Sequence, residues 1–347
     1  MTPAGPPEAA RILVIRRDNI GDLILTTPLI SALRRARPKA WLGALVNAYN
    51  APVLDGNPDL DAVFRYQKAK HRTAGETAAG VYLRRLALLA QLRLQRIDYA
   101  VVAATGETER AMRLARWCGA RQIVAFAPGR AGDTHIAALE DGHEVTRVYR
   151  LGEPFDVAPS PPPLVLRPDA NAVAAAAAKL GAASGPLVAL HISARKPSQR
   201  WPEGNFIALG RQLIERHGAR IALFWAPGDA TNPHHPGDDA KAAAVIAALP
   251  ALPVLPFRTE HLAELIAALS LVDVAILADG GAMHIAAALG KPIVALFGDS
   301  DAARWAPWGV THRLLQHPSR QVADISLTEV LAAFQALLHS GLASAGA

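Results

Sequence analysis

Short apolar runs recur along this chain, each followed by a segment of helical period, and that repetition restricts the fold more than any other feature. Residues 12–15, 41–46, 99–103, 123–126, 187–191, 221–225, 272–277 and 293–297 read as strands. A run such as VDVAIL (272–277) lacks the in–out alternation of a half-exposed strand, so both its faces are expected to be buried in a parallel sheet. Residues 23–37 carry Leu25, Leu29 and Leu33 on one helical stripe, and 81–94 reads as an amphipathic helix with an Arg face. Helices are also predicted at 108–118, 170–180, 206–217, 239–249 and 261–269, with a short one at 283–289 closed by Gly290 and Pro292. A short strand at 253–255, a terminal helix at 326–342 and a weakly patterned stretch at 129–156 complete the reading. Strand–helix alternation of this kind implies α/β architecture with parallel, doubly wound sheets.

A chain of 347 residues exceeds what one hydrophobic core usually holds, so two domains are expected. The proline-dense PSPPPLVLRP marks a stiff, extended linker. The expected division is residues 1–158, a linker at 159–168, a second domain at 169–325 and a C-terminal helix at 326–347. No apolar run approaches the ~20 residues of a spanning helix, and MTPAGPPEAA lacks the basic-then-apolar pattern of a signal peptide. The lone Cys118 excludes an internal disulfide, reads as a small core residue and suits a reducing compartment, so a cytoplasmic location is expected. Residues 1–150 hold 22 Lys and Arg against 14 Asp and Glu; residues 151–347 hold 14 against 16. The first half is therefore net +8 and the second −2. Clusters such as Arg34/Arg35/Arg37/Lys39, Lys68/Lys70/Arg72 and Arg84/Arg85 suit an anionic partner, whether nucleic acid, a phosphorylated glycolipid or an anionic membrane face, or else solvated helix faces.

Four loops carry chemistry. Asp22 follows the first strand, at the rim where open α/β sheets bind ligands; it is equally placed to cap a helix. Ser193, Arg195, Lys196 and Arg200 follow the strand at 187–191, so one loop gathers a hydroxyl and several cations. Asp279, Gly280, Gly281 and Ala282 join a strand to a helix N-terminus, where free N–H groups favour an anion, or form a plain tight turn. The loop 226–239, APGDATNPHHPGDD, is acidic; adjacent His234 and His235 do not have the spacing of a metal site. Missing G-x-G-x-x-G, G-x-x-x-x-G-K-[ST] and G-x-S-x-G patterns argue against a dehydrogenase, a P-loop NTPase and a hydrolase.

Three blocks together resemble the ADP-heptose:lipopolysaccharide heptosyltransferase family (glycosyltransferase family 9). RILVIRRDNIGDLILTTPLISALRRARP at 11–38 resembles its opening, HISARKPSQRWP at 191–202 its central block, and DGGAMH at 279–284 with Phe297-Gly298 its second signature. They lie in family order over about 300 residues of this chain. The resemblance implies two Rossmann-like domains facing across a cleft (GT-B architecture) and inverting transfer of a sugar, plausibly heptose, from a nucleotide-diphospho-sugar such as ADP-heptose.

The same resemblance implies roles. Asp22 becomes the base that deprotonates the acceptor, with Gly21, Thr26 and Thr27 lining the acceptor site or, for the threonines, simply sitting in the helix. Ser193, Lys196, Arg200, Gly280, Gly281 and Ala282 hold the donor diphosphate, Asp279 the sugar hydroxyls, and Asp229 the ribose, with Asp238 and Asp239 as fallbacks. His284 is expected to be packed or capping rather than catalytic. The expected partners are the donor, an anionic lipopolysaccharide core or related glycan acceptor, and an anionic inner-membrane face, with no nucleic acid, cofactor or metal. Three departures stand out. Gln199 occupies the position where the family has Lys two residues before Trp-Pro, Gly280 stands where Ser or Thr is usual, and Asp299 where Pro is common. These departures leave open an epimerase of the same architecture, or a non-catalytic nucleotide-sugar binding protein.

Overall fold

Among the described residues, twelve strands form two six-stranded, wholly parallel sheets. The computed structural model describes residues 6–67, 78–105, 109–181, 184–232 and 236–344, so Lys68, Lys70, Arg72, His234 and His235 lie outside the described residues. The chain divides into two compact units, Met1–Arg167 and Pro168–Ala347.

In the first unit, β1 (Arg11–Arg16), β2 (Trp41–Asn47), β3 (Ala62–Tyr66), β4 (Tyr99–Val102), β5 (Gln122–Ala125) and β6 (Thr134–His135) lie in the order β3-β2-β1-β4-β5-β6. Helices α1 (Ile20–Ile24), α2 (Thr27–Ala36), α3 (Ala78–Leu94), α4 (Glu109–Trp117) and α5 (Glu144–Tyr149) belong to the same unit. Leu13 and Ile15 on the central strand pack with Leu92 of α3, Leu114 of α4 and Cys118 in one core. The Cys118 thiol is fully buried, which pushes its pKa up to about 12 and leaves it unreactive.

The second unit repeats the winding. Strands β7 (Leu187–His191), β8 (Arg220–Trp225), β9 (Val254–Arg258), β10 (Val274–Ala278), β11 (Ile293–Phe297) and β12 (His312–Gln316) take the order β12-β11-β10-β7-β8-β9. Counted from its first strand this is the same 3-2-1-4-5-6 order, so both sheets are Rossmann-like. The helices are α6 (Ala170–Leu180), α7 (Glu203–His217), α8 (Asp239–Ala248), α9 (Leu262–Ser270), α10 (Gly281–Ala288), α11 (Ala302–Trp305) and α12 (Leu327–Ser344). Trp201, Phe206, Leu223 and the α12 side chains Val330 and Phe334 share its core.

The structure corrects several sequence boundaries. The single helix expected over 23–37 is two, because Pro28 has no N–H to continue the ladder and sits in the first turn of α2. Strands β3 and β12 and helix α11 were not expected; both strands lie at sheet edges, where short, partly exposed segments lose the buried-strand signature. β9 includes Pro256, which an edge strand accommodates. Residues 129–156 hold β6, α5 and a 3-10 turn at Arg150–Phe155.

At the end of β11 the backbone of Gly298 passes against that of Ser198, so a Cβ at Gly298 would overlap the Ser198 carbonyl. Gly298→Ala is expected to destabilise the protein by roughly 1–3 kcal/mol, by overpacking a contact between two backbones that cannot swing aside. Urea denaturation of the variant checks this; a midpoint equal to that of the parent would show that the Ser198 loop yields freely.

Candidate functional site

Parallel winding leaves one place in each sheet where the chain order reverses, between β1 and β4 in the first unit and between β7 and β10 in the second. Crossovers on either side diverge there, opening a crevice beyond the carboxyl ends of the strands. Most of the residues singled out by sequence fall at these two places.

In the first unit, β1 ends on Arg16, whose side chain is only 1% exposed. A buried guanidinium persists only where carboxylates and carbonyls surround it. Arg16 Nη2 donates to Asp22 Oδ1 (2.6 Å) and to Glu144 Oε1 (3.1 Å), Nη1 donates to the Ala103 carbonyl just past β4, and Nε lies 3.1 Å from Asp18 Oδ2. Glu144, in the first turn of α5, is completely buried and also accepts from Thr105 Oγ1 (3.0 Å). The second oxygen of Asp22 accepts from the Asn19 backbone N–H and from Asn19 Nδ2, each at 3.0 Å, at the start of α1. Asp22 therefore does cap its helix, and the same carboxylate belongs to a buried charge cluster.

Burial pushes the Asp22 pKa up, but Arg16 and the Asn19 donors outweigh it together, so the carboxyl lies below the ordinary aspartate range. Two buried carboxylates share one guanidinium, and of the two only Asp22 keeps some exposure, 11% of its side chain. The approach loop 17–19 is held from β2 and the turn after it. Asn47 Nδ2 donates to the Arg17 and Asp18 carbonyls, Tyr49 Oη to Asp18 O (2.7 Å) and Asn50 Nδ2 to Asp18 O (3.2 Å).

For Thr26 and Thr27 the structure shows the second of the two readings, residence at a helix start. Both are fully buried, with Thr26 Oγ1 donating to Asp22 O (2.8 Å) and Thr27 Oγ1 to Ile24 O (2.7 Å) while accepting from Val165 N (3.0 Å). They stitch the break between α1 and α2 and anchor the extended segment before Arg167; neither reaches a surface open to an acceptor. Gly21 is likewise buried inside α1.

In the second unit the loop 192–201 leaves β7 and its two ends are tied by one cation that sequence reading missed. Lys241 Nζ, on α8, donates to Ile192 O (3.0 Å) and Trp201 O (2.9 Å) and lies 4.7 Å over the Phe206 ring. Inside the loop, buried Gln199 donates from Nε2 to Asp279 Oδ2 (2.8 Å) and Ser300 Oγ (3.0 Å). Lys196 Nζ pairs with Asp299 Oδ1 at 3.2 Å. Gln199, Lys196 and Asp279 thus converge with the N-terminus of α10, where Gly280 is the N-cap and Gly281 and Ala282 open the first turn. Helix α10 begins two residues earlier than sequence reading gave, which puts those N–H groups in the unpartnered first turn.

Asp279 has a raised pKa, chiefly from burial, because its direct partners are the neutral Gln199 and Ser300 and the nearby Lys196 is shared with Asp299. His191, at the end of β7, is pushed down to about 4 by burial and is neutral at physiological pH. His284 is packed, 6.3 Å from the Trp305 ring, as expected of a structural histidine.

Other candidates are committed elsewhere. Arg200 donates to the Ala194 carbonyl (3.2 Å), so its guanidinium braces the loop from within. Ser193 Oγ accepts from Ala226 N (2.8 Å). Asp229 is exposed and closes its own turn by accepting from Thr231 N (2.7 Å). Asp239 accepts from Trp225 Nε1, Gly228 N and Arg258, which holds its carboxyl far below the usual range and gives it a structural task; half-buried Asp238 interacts electrostatically with Lys241 and His191. Among the described residues no group of three or more His, Cys, Asp or Glu side chains has metal-holding geometry.

The charge cluster generates a double-mutant test. Arg16→Met leaves two buried carboxylates facing each other and is expected to destabilise by about 3–5 kcal/mol, whereas Arg16→Met/Glu144→Met should recover much of that loss. Because the folded-state pKa of Asp22 is depressed, its share of stability is complete above the unfolded value near 4 and is lost as pH falls through the folded value. Denaturation midpoints of the parent, Arg16→Met, Glu144→Met and the double variant, followed from pH 7 to pH 3, measure both effects; losses in the double variant equal to the sum of the two single losses would mean that the cluster is not coupled.

With this geometry in hand, comparison with known proteins gives a consistent picture. Residues 114–331 match the family model described as glycosyltransferase family 9 (heptosyltransferase). The chain is 25% identical over 359 residues to lipopolysaccharide heptosyltransferase 3 of Escherichia coli K12, covering 94% of this chain and 97% of that protein. A glycosyltransferase family 9 structure from Veillonella parvula superimposes with a TM-score of 0.79 at 20% identity, over 96% of this chain and 99% of the other. The E. coli ADP-heptose lipopolysaccharide heptosyltransferase II structure follows at 0.75 and 21%, over 95% and 99%.

Proposed function

We propose, from the premise that this chain belongs to glycosyltransferase family 9 (heptosyltransferase), that it transfers a heptose from ADP-heptose to a lipopolysaccharide core or related anionic glycan, with inversion at the anomeric carbon. The observation that carries the reading is Asp22, a carboxylate ionised throughout the physiological range, held at the end of β1 with a small part of its side chain exposed. The related proteins act, by their names, on lipopolysaccharide, and one uses ADP-heptose.

In this reading the acceptor hydroxyl meets Asp22, which takes its proton as the new glycosidic bond forms and the diphosphate departs. A carboxylate of depressed pKa is a weak base, so it takes the proton late, once the hydroxyl has been acidified by bonding to the anomeric carbon. The Arg16 and Asn19 contacts keep Asp22 ionised, so that its negative charge faces the positive charge developing on the sugar ring. Inversion needs only this one carboxylate and no covalent intermediate. The diphosphate leaves against the Gly281 and Ala282 N–H groups, Arg195 and Lys196, with Asp279 accepting from sugar hydroxyls. Gln199 in the family's Lys position moves the cationic duty to Lys196, whose partner Asp299 must be displaced or shared. A lipid-linked acceptor also implies peripheral contact with an anionic inner-membrane face and gives nucleic acid no part.

Incubation with a panel of nucleotide sugars tests the reading. ADP-heptose should yield ADP and a glycoside of inverted configuration by NMR. An epimerised nucleotide sugar with no glycoside, or donor binding with no product, would replace it. Asp22→Asn is expected to lower turnover by roughly 10²–10⁴ with the donor KM nearly unchanged. Since the depressed pKa leaves Asp22 ionised, kcat/KM should show no acid limb from this group between pH 5 and 8; a rate tied to an ionisation near pH 6–7 that Asp22→Asn abolishes would contradict the assignment. With cations and N–H dipoles facing the leaving group, activity is expected to survive EDTA; loss restored by Mg²⁺ or Mn²⁺ would overturn that part.

A further inference from the structure

Six large hydrophobic side chains are markedly exposed among the described residues, and five of them sit on two neighbouring helices of the first unit. Tyr82, Leu83, Leu86 and Leu94 of α3 are 60–81% exposed and Trp117 of α4 is 56% exposed. On a helical projection Leu83, Leu86, Ala87, Ala90 and Leu94 fall within an arc of roughly 100°, a continuous apolar stripe about 16 Å long. Leu88, Leu89 and Leu92 face the opposite way and join the core, so the outer stripe is surplus to folding. Arg93 Nε donates to the Trp117 carbonyl (2.9 Å), which brings the end of α4 beside that of α3.

The charges on the stripe's own helix have one sign. Residues 77–97 contain no Asp or Glu, and the charged side chains are Arg84, Arg85, Arg93 and Arg96. Arg84 and Arg93 flank the stripe on opposite sides of the projection, and on α4 Arg110 and Arg113 are exposed, with Glu109 the one acid of that helix. In sequence the preceding residues 68–77, KAKHRTAGET, hold three Lys and Arg against one Glu. A second copy is a poor occupant, because a self-complementary face would set arginine against arginine.

We propose that the outer face of α3, with Trp117 at its end, docks on an anionic phospholipid surface. Leucines enter the headgroup–acyl boundary, the tryptophan and tyrosine take the interfacial level, and the arginines meet lipid phosphates. Attraction to anionic headgroups adds to apolar burial, so neither part alone suffices. The inference deepens the reading of a lipid-linked acceptor and rests on it only for its purpose; the binding itself is measurable without any transfer reaction.

The test is co-sedimentation of the full chain with vesicles of phosphatidylethanolamine and phosphatidylglycerol, against vesicles of phosphatidylcholine alone. Binding is expected to the first and not the second, falling as NaCl rises from 50 to about 500 mM because the charges are exposed. Leu83→Gln/Leu86→Gln/Leu94→Gln should weaken binding at least tenfold with an unchanged circular dichroism spectrum and melting temperature, since none of the three packs in the core. Its turnover on a delipidated acceptor fragment should equal that of the parent. Equal binding to both vesicle types, no binding to either, or a triple variant that binds like the parent would overturn the proposal. So would a concentration-dependent dimer that the triple variant abolishes, which would assign the stripe to a second copy. Vesicle binding that persists in a protein showing no glycosyl transfer would overturn the enzymatic reading and leave the surface standing.

Discussion

Every strand in both sheets runs parallel to its neighbours, so each must return by a crossover, and the reversal of winding beside β1 and β7 leaves strand ends that no connection covers. That constraint dictates where polar chemistry can sit. The strands bordering those reversals, β1, β4, β7 and β10, carry ionisable side chains only at their ends. Polar chemistry is therefore displaced to a strand's last residue or to the loop just beyond it, and neighbouring segments have to supply the partners that make its burial tolerable.

The two units meet this demand in opposite ways. At β1 the answer is ionic: one enclosed guanidinium is shared by Asp22 and Glu144, and the Asn47, Tyr49 and Asn50 donors hold the approach loop. At β7 and β10 it is neutral, with an amide where a lysine is usual in the family. Gln199 gives Asp279 a hydrogen bond but no opposite charge, and burial raises the Asp279 pKa. A lysine at that position would have brought a positive charge beside Asp279 and the α10 N-terminus that the amide does not.

Sequence reading located the strands that line both crevices because buried parallel strands are continuous apolar runs, and β7 and β11 agree with it to the residue. It placed Asp22 at a rim but left capping and catalysis as alternatives; the structure shows the capping contacts, with part of the same carboxylate still exposed. Glu144 escaped notice because it lies in a stretch without period, and its burial depends on Arg16, 128 residues earlier. Lys241 was equally invisible, since nothing in an alanine-rich helix announces that one lysine turns inward to close a loop. Thr26 and Thr27 were left between ligand contact and residence in the helix. Hydroxyls beside a candidate base look like ligand contacts until the backbone carbonyls they satisfy are known. The Arg face expected on α3 was only part of the truth, because helical period marks which residues share a face and not whether anything covers it.

At Gly280 the backbone is extended, with φ at 161°, and a Cβ added there would meet nothing within 4 Å. Glycine is thus not demanded by sterics, and the position could carry serine, a good helix N-cap, without strain. Glycine and serine codons can differ by a single base. The hydroxyl common in the family is consequently within one mutational step of this chain, along a path that crosses no unstable intermediate. Its absence is therefore not imposed by the fold.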